Sequence, residues 1–512
     1  MISNKELEIF INGELRKQRW FGQKLEKISV GIEDRIPAYT TENLGVEFFI
    51  LKTKPGNKRY FVPIAFAKSA FQIFEAGASV HTLKKGNGNI HVFEAEYLDV
   101  FPSIIYRMFE DGERFAGKKS EISFVLRQNI RGLKVRKGEV IGGDTTNFNL
   151  KLLTSERTMV LKTYRTFDAD NPEVEMLLQL SNFKNVPHVL GYAEVSIGGK
   201  VANGFLLMEF LECAGDGIKA FMKDLNFLLN SDRPEGKNAV MQHSEGLAAK
   251  LGKTTAEMHV HLIGEDEKFQ PEIITEEDIE RWKSRILSNL NYCLEKIQKL
   301  PAAHSHSTAI QKMAEEIEKE MVAKHLEEAG EFAGLQKIRT HQDYHLGQVL
   351  YGKEENFYVL DFEGEPGRKG AERREKLPPL RDVATMLRSF AYLKHLAFRN
   401  YLEERLSITG EREKLCWAPL VLTGIDVDLW IDEKVAEMLN LYEEKTGNAF
   451  VKNYIQKMRE LNSSLVPEIE LSKKMLKFWK IEKAIYELKY ELEYRVEYAG
   501  IPIAGILEEL RD

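Results

Sequence analysis

The sequence predicts an α+β protein, with strands gathered in the first 210 residues and helices filling the rest. Three observations lead there. Residues 46–54 and 58–66 are apolar, strand-like runs joined across Pro55-Gly56-Asn57, a hairpin signature. Two further runs, Phe148–Leu153 and Thr158–Tyr164, meet at the turn Ser155-Glu156. From about residue 211 apolar residues recur at helical spacing nearly throughout, interrupted by the stretch from Arg339 to Pro366. The expected organisation is therefore 1–95, a first α/β unit; 96–210, a lobe built on a sheet; and 211–512, a mainly helical lobe.

Bulk properties narrow the partners. A chain of 512 residues is long enough for several cores. Its net charge of -7 offers no basic surface to nucleic acid or to an anionic membrane, so neither is expected as a partner. No apolar run approaches membrane-spanning length. The N-terminal segment MISNKELEIFINGELRKQRWF lacks the basic-then-apolar order of a signal peptide. Cys213, Cys293 and Cys416 are odd in number and widely spaced, which suits inert thiols in a reducing compartment. The expected location is cytoplasmic.

In chain order, a helix over Asn4–Arg19 leads into Arg19-Trp-Phe-Gly-Gln-Lys24. Trp20 and Phe21 are expected to anchor that helix to the sheet; the alternative gives Arg19 and Lys24 to substrate or nucleotide. Leu98, Phe101, Ile105 and Met108 fall at helical spacing within Glu96–Phe109, with Pro102 a natural start. Ile141-Gly-Gly-Asp-Thr-Thr-Asn147 opens a hairpin with small polar residues. Thr145 and Thr146 there can donate to phosphates, or the segment is simply a turn. Lys162 lies mid-strand, and a helix opened by Pro172 follows with Glu173 and Glu175 in its first turn. Gly204–Glu212 is a hydrophobic strand, and Gly215-Asp-Gly217 reads as a flexible link. His259 and His261, two apart on a helix, face different ways and are expected to pack rather than to bind metal. Thr275-Glu-Glu-Asp278 is a capping box before Ile279, Trp282, Ile286 and Leu290. Asp382 opens another helix, with Arg381 and Asp382 backing the central stretch, and Met475–Tyr498 is expected to be the last helix.

The central stretch carries the chemistry. Asp343 is followed five positions on by Gln348, and Asp361 comes after a short turn and the apolar run Phe357–Leu360. A base carboxylate, an amide five residues later and a carboxylate at a strand end are the parts phosphoryl transfer needs: an acceptor for the hydroxyl proton and hard oxygen ligands for Mg²⁺. Glu363 adds a further ligand. A strand lysine followed by a helix glutamate is the ion pair that aims an amine at the α- and β-phosphates of ATP. In the last predicted helix Lys483, Tyr486 and Tyr490 fall on one face, with Glu487 and Glu491 beside them. Aromatic rings with mixed hydrogen-bonding groups suit a sugar, while an aromatic core stripe is the competing reading.

His341-Gln-Asp-Tyr-His-Leu-Gly-Gln348, Asp361-Phe-Glu-Gly-Glu-Pro366 and Pro379-Leu-Arg-Asp-Val-Ala-Thr-Met-Leu-Arg-Ser-Phe390 resemble the bacterial maltokinases, which share the aminoglycoside-phosphotransferase-like kinase fold. Many relatives have His-Gly-Asp where this chain has His341-Gln342-Asp343. The resemblance implies a bilobal kinase-like fold with an N-terminal cap subdomain, ATP and Mg²⁺ as cofactors, and maltose as acceptor with maltose 1-phosphate as product. It implies Asp343 as catalytic base, and Gln348, Asp361 and Glu363 on the metal. Lys162, Thr145, Thr146, Glu209 and Leu211 fall on the nucleotide side. The family's similar Asn-Pro-x-Val-Glu makes Glu175 the expected partner of Lys162. On the acceptor side the resemblance gathers His341, Lys483, Tyr486, Glu487 and Tyr490. It further implies a place in glycogen or α-glucan synthesis from trehalose, with trehalose synthase as a candidate partner. The rivals are a kinase of the same fold acting on glucosamine or an aminoglycoside, and a catalytically silent partner of trehalose synthase.

Overall fold

The computed structural model describes residues 2–18, 20–21, 28–68, 79–85, 88–142, 146–231, 234–301, 305–368, 370–406, 419, 422 and 433–511. They form two compact units: Met1–Ser181 with Pro187–Leu211, and Asn182–Val186 with Glu212–Asp512.

The first unit opens with α1 (Asn4–Gly13), started by a capping box in which Ser3 and Glu6 satisfy each other's backbone N–H. It is shorter than expected: beyond Gly13 the chain tightens into a single turn over Leu15–Lys17. An antiparallel five-stranded sheet follows, β1 (Ser29–Thr40), β2 (Leu44–Lys54), β3 (Arg59–Ala67), β4 (His81–Lys85) and β5 (Gly88–Glu94), in the order β1-β2-β3-β5-β4. Both of its faces are covered, as the unbroken run Phe48-Phe49-Ile50-Leu51 requires of a strand whose side chains alternate. Phe49 joins Leu7, Phe10, Trp20 and Phe21 on one side. Phe48 packs on the other against Phe61, Phe124 and Phe205. After α2 (Phe101–Asp111) comes a seven-stranded antiparallel sheet: β6 (Arg114–Ala116), β7 (Ser120–Leu126), β8 (Val135–Ile141), β9 (Phe148–Thr154), β10 (Thr158–Thr163), β11 (Val189–Ile197) and β12 (Lys200–Glu209). Its order is β6-β7-β11-β12-β10-β9-β8, and α3 (Glu173–Gln179) follows β10 in sequence. Residues on either side of position 95 share one core between the sheets.

Trp20 and Phe21 are buried, and Phe21 stacks on Tyr60 at 4.8 Å, so both anchor the cap. Arg19 and Lys24 lie outside the described residues. Glu96 lies ahead of α2 in a single 3₁₀ turn (Ala95–Tyr97), fully buried and 2.7 Å from Arg165. Arg165 also meets Glu94 at 2.9 Å, and Trp20 donates its indole N–H to Glu94 at 3.0 Å. Burial pushes the Glu94 carboxyl up to about 7 against the pull of Arg165, with the Glu96 charge adding to the rise. Between about 4.5 and about 7 the native state therefore holds a proton that the unfolded chain has lost. This contribution to stability is complete below that window and disappears as pH rises through it. We expect the unfolding free energy of the wild type, measured by urea titration, to fall between pH 5 and pH 7, by no more than about 3 kcal/mol. Glu94→Gln, which keeps an acceptor for Trp20 without the titration, should flatten the trend, and an equal slope in the variant would remove Glu94 as its source.

In the second unit, Gly215-Asp-Gly217 is no loose link. β13 (Cys213–Asp216) runs straight into α4 (Gly217–Asn230), whose N-terminus Asp216 caps by accepting from the Lys219 N–H at 2.8 Å. The unit continues with α5 (Pro234–His261), β14 (Glu272–Ile273), α6 (Glu276–Gln298), α7 (Ser305–Glu315), α8 (Lys319–Glu327), β15 (Gln336–Lys337), β16 (Val349–Gly352) and β17 (Phe357–Val359). Among the described residues three long helices follow, α9 (Leu380–Leu406), α10 (Glu433–Asn462) and α11 (Ile469–Tyr494), and then α12 (Gly500–Arg511), which the sequence reading missed. The capping box of Thr275 and Asp278 starts α6 as expected. β13, β16 and β17 form a small antiparallel sheet that carries the central stretch. Cys293 is buried in α6 with its thiol pushed up to about 12, whereas Cys213 is exposed.

Candidate active site

The loop around Asp343 is held from behind by the start of α9. Asp382 is fully buried and accepts the backbone N–H groups of His341 at 2.7 Å and Gln342 at 2.9 Å. Its carboxylate also lies 3.1 Å from His259 Nε2, and His259 Nδ1 lies 2.9 Å from the Tyr454 hydroxyl. Arg381 donates to the Gln342 carbonyl at 2.6 Å. His259, Arg381 and Asp382 are thus structural, as expected.

His341 is corrected by the structure. It is buried between Tyr344 and Phe362, and its Nε2 donates to the Leu360 carbonyl at 2.7 Å. Burial holds it neutral. Its ring ties the Asp343 loop to the residue before Asp361 and does not line the cavity beside Asp343. Gln342 has φ 70, the left-handed region where glycine is the unstrained choice. Its side-chain amide answers part of that strain by donating to the carbonyls of Arg373 and Glu375 at 3.2 and 3.0 Å.

Asp343 projects from this loop towards α11. Its Oδ1 lies 3.2 Å from Lys483 Nζ, and its Oδ2 lies 3.8 Å from His345 Nε2. Burial alone would raise its pKa, but the Lys483 ammonium and His345 outweigh that and hold the carboxyl well below the usual carboxylate range. Lys483 Nζ is also 2.8 Å from Glu365, which Arg368 and Arg381 clamp from the other side, Arg381 at 2.9 Å. Glu482 joins both arginines, 2.5 Å from Arg368 and 3.3 Å from Arg381. Three cations and three carboxylates therefore balance in one buried cluster. Glu365, Arg368 and Glu482 were not picked out in the sequence; the acidic residue two after Glu363 was the available signal.

A cavity of about 350 Å³ opens beside Asp343, within the range of small-molecule sites. Lys483, Tyr486, Glu487, Tyr490 and Glu491 line it as the sequence stripe suggested, together with Tyr392 and Arg495, which the sequence reading had not assigned to it. The Tyr486 hydroxyl accepts the Gly367 N–H at 3.1 Å, so it also holds the segment after Asp361. Arg388 meets Glu487 at 3.1 Å and Arg495 meets Glu491 at 2.7 Å, while burial raises both carboxyls above their usual range. Lys489 turns away to Asn289 on α6.

Gln348 ends a short turn over Leu346–Gln348, and its carbonyl accepts the Leu360 N–H at 2.9 Å, which sets it in register with the strand that delivers Asp361. Asp361 has φ 64, tolerable for Asp, and a carboxylate oxygen of Asp361 lies within 4.8 Å of one of Glu363. Two hard anionic oxygens at that spacing fit a divalent ion such as Mg²⁺.

In the first unit, Lys162 lies on β10, an interior strand between β9 and β12. It is buried, with Nζ 2.7 Å from Glu173 Oε2, and the Tyr164 hydroxyl donates to the same oxygen at 2.6 Å. The carboxylate on Lys162 is thus that of Glu173, which corrects the expectation of Glu175. Two residues apart on a helix turn through about 200°, so only one of the two can face the strand. Thr146 is exposed and Thr145 lies outside the described residues. Glu209, at the end of β12, pairs with Arg157 at 3.1 Å, and Leu211 follows half-buried.

Residues 15–97 match the model of the maltokinase N-terminal cap domain. A solved glucosamine kinase in complex with glucosamine, ADP and inorganic phosphate is similar at TM-score 0.61 and 16% identity, over 94% of this chain and 94% of that one. A second crystal form of glucosamine kinase gives TM-score 0.60 at 16% identity, over 96% of each chain. The fold is thus α+β and kinase-like. Residues 15–97 are thus similar to the N-terminal cap domain of the maltokinases, and the chain as a whole shares the fold of the solved glucosamine kinases.

Proposed function

We propose that this chain is an ATP-dependent sugar kinase that phosphorylates maltose at its anomeric hydroxyl, giving maltose 1-phosphate. The observation that carries this reading is the Asp343 carboxylate, 3.2 Å from the Lys483 ammonium, at the wall of a cavity lined by tyrosines and charge-compensated groups. Asp343 orients the acceptor hydroxyl and takes its proton as that oxygen bonds to the γ-phosphorus and the bridging oxygen leaves with ADP. Lys162, held by Glu173, binds phosphate oxygens, and the backbone near Glu209 and Leu211 meets the adenine. Mg²⁺, held by Asp361, Glu363 and the amide oxygen of Gln348, would neutralise charge on the phosphates.

Charge balance favours a neutral acceptor. Asp343, Glu487 and Glu491 each already face a cation, so they leave no surplus of anions for a polycationic aminoglycoside. Glucosamine is a second reading, because the similar solved structures are of glucosamine kinase and the cavity wall carries carboxylates, Glu487 and Glu491 among them. By family resemblance alone, the product feeds glycogen or α-glucan synthesis in the cytoplasm, and trehalose synthase is the natural partner.

The test is ADP release by purified protein with ATP, Mg²⁺ and maltose, glucosamine or kanamycin, with the product identified by ³¹P NMR. Maltose-stimulated turnover yielding an anomeric phosphate is expected. Stimulation by glucosamine and not maltose would overturn the acceptor, and no turnover with any sugar would leave the silent-partner reading. Asp361→Asn removes one anionic ligand and should raise the Mg²⁺ concentration for half-maximal rate by about tenfold, with lower kcat. An unchanged Mg²⁺ titration would take Asp361 off the metal.

A further inference from the structure

Lys483 stands out because sequence reasoning places it on the sugar, whereas the structure gives its ammonium to two carboxylates. It is buried near the middle of α11, 3.2 Å from Asp343 and 2.8 Å from Glu365. Its ammonium also lies 4.8 Å from the centre of the Tyr486 ring. Glu365 is itself fixed by Arg368 and Arg381, and the same Arg381 holds the Gln342 carbonyl next to Asp343. The chain of contacts therefore closes on itself: loop, Lys483, Glu365, Arg381 and loop again. Resting on the kinase reading above, we infer that Lys483 is the positioning residue of the base, fixing the Asp343 carboxylate in one rotamer and keeping it ionised in a buried setting, while Glu365 fixes Lys483.

The Asp343 carboxylate is largely withdrawn from water, its side chain 15% exposed. Out of water it either protonates or finds a compensating charge. The groups that act on Asp343 are Lys483, His345, His341, Tyr486 and Glu365. Among these, Lys483 is the cation in hydrogen-bonding reach: His341 is held neutral by burial, Glu365 is an anion, and His345 is 3.8 Å away. A lysine with one anionic partner would swing towards any third group. With Glu365 on its far side it stays put, and the proton-accepting oxygen stays aimed into the cavity.

The experiment measures acid limbs of kcat, at saturating MgATP and acceptor, for wild type, Lys483→Met, Lys483→Arg and Glu365→Gln. Lys483→Met should lose about 100-fold in kcat, move the acid limb up by at least one pH unit, and change acceptor KM by less than about threefold. Lys483→Arg should recover part of the rate and return the limb towards wild type. Glu365→Gln leaves the lysine charge in place and removes an anion, so its rate falls without an upward shift of the limb. If Lys483→Met does not fold, Lys483→Arg and Glu365→Gln still decide through the direction of the limb. A Lys483→Met enzyme with raised acceptor KM, an unmoved acid limb and near-normal kcat would make Lys483 a sugar ligand and overturn the inference. Inactive wild type would instead overturn the kinase reading.

Discussion

Asp343→Asn should turn over at least about a thousand-fold more slowly than wild type, while the KM for ATP stays within about threefold. The amide keeps the volume and one oxygen but cannot take the acceptor proton. Asp343 belongs to the second unit and the proposed phosphate-binding Lys162 to the first, with its own partner in Glu173, so nucleotide binding has no reason to follow the loss. Steady-state rates with maltose, alongside ADP binding by calorimetry, separate the two effects. A variant within tenfold of wild type would remove Asp343 as the base, whatever the acceptor.

What the sequence made legible was local. The spacing of Asp343, Gln348 and Asp361 is short enough that one turn and one hairpin bring it into register. The capping box at Thr275 and the turn at Pro55-Gly56-Asn57 likewise carry their geometry within a few residues. The choice between Glu173 and Glu175 depended on the rotational phase of a helix at its first turn, which two glutamates at positions i and i+2 leave open. Burial of charge was hidden for a different reason. Arg165 reads as a surface residue until Glu94 and Glu96 arrive from some 70 positions earlier in the chain. Arg368 and Glu482 are separated by 114 positions, and Lys483 and Glu365 by 118. No periodicity connects such pairs. The same holds for His341, which the resemblance put on the substrate side and whose ring bonds the Leu360 carbonyl instead. Tyr392 and Arg495 entered the cavity wall through the packing of α9 on α11, which residue spacing does not encode.

Asp382→Ala should damage both stability and rate. The wild-type carboxylate is fully buried and satisfies two backbone N–H groups of the Asp343 loop as well as His259. Truncation leaves three buried donors without an acceptor, and no solvent reaches them to compensate. Each orphaned donor costs about 1–3 kcal/mol, and the sum for a buried charged hub is on the order of 3–5 kcal/mol. Asp382→Asn is no rescue: its one oxygen can accept, but its NH₂ faces another donor. The low folded pKa of Asp382, which the His259 hydrogen bond and the Arg381 charge hold down against burial, adds a pH signature. Its contribution is present above the unfolded carboxylate pKa and is lost as pH falls through the folded one, so the wild type should lose stability on acidification where the alanine variant does not. We expect the alanine variant to melt several degrees lower at neutral pH, to lose amide-exchange protection at His341 and Gln342, and to lose at least about 100-fold in kcat because the Asp343 loop is no longer held. Wild-type melting and protection in Asp382→Ala would mean that Arg381 and the His341–Leu360 bond suffice to hold the loop.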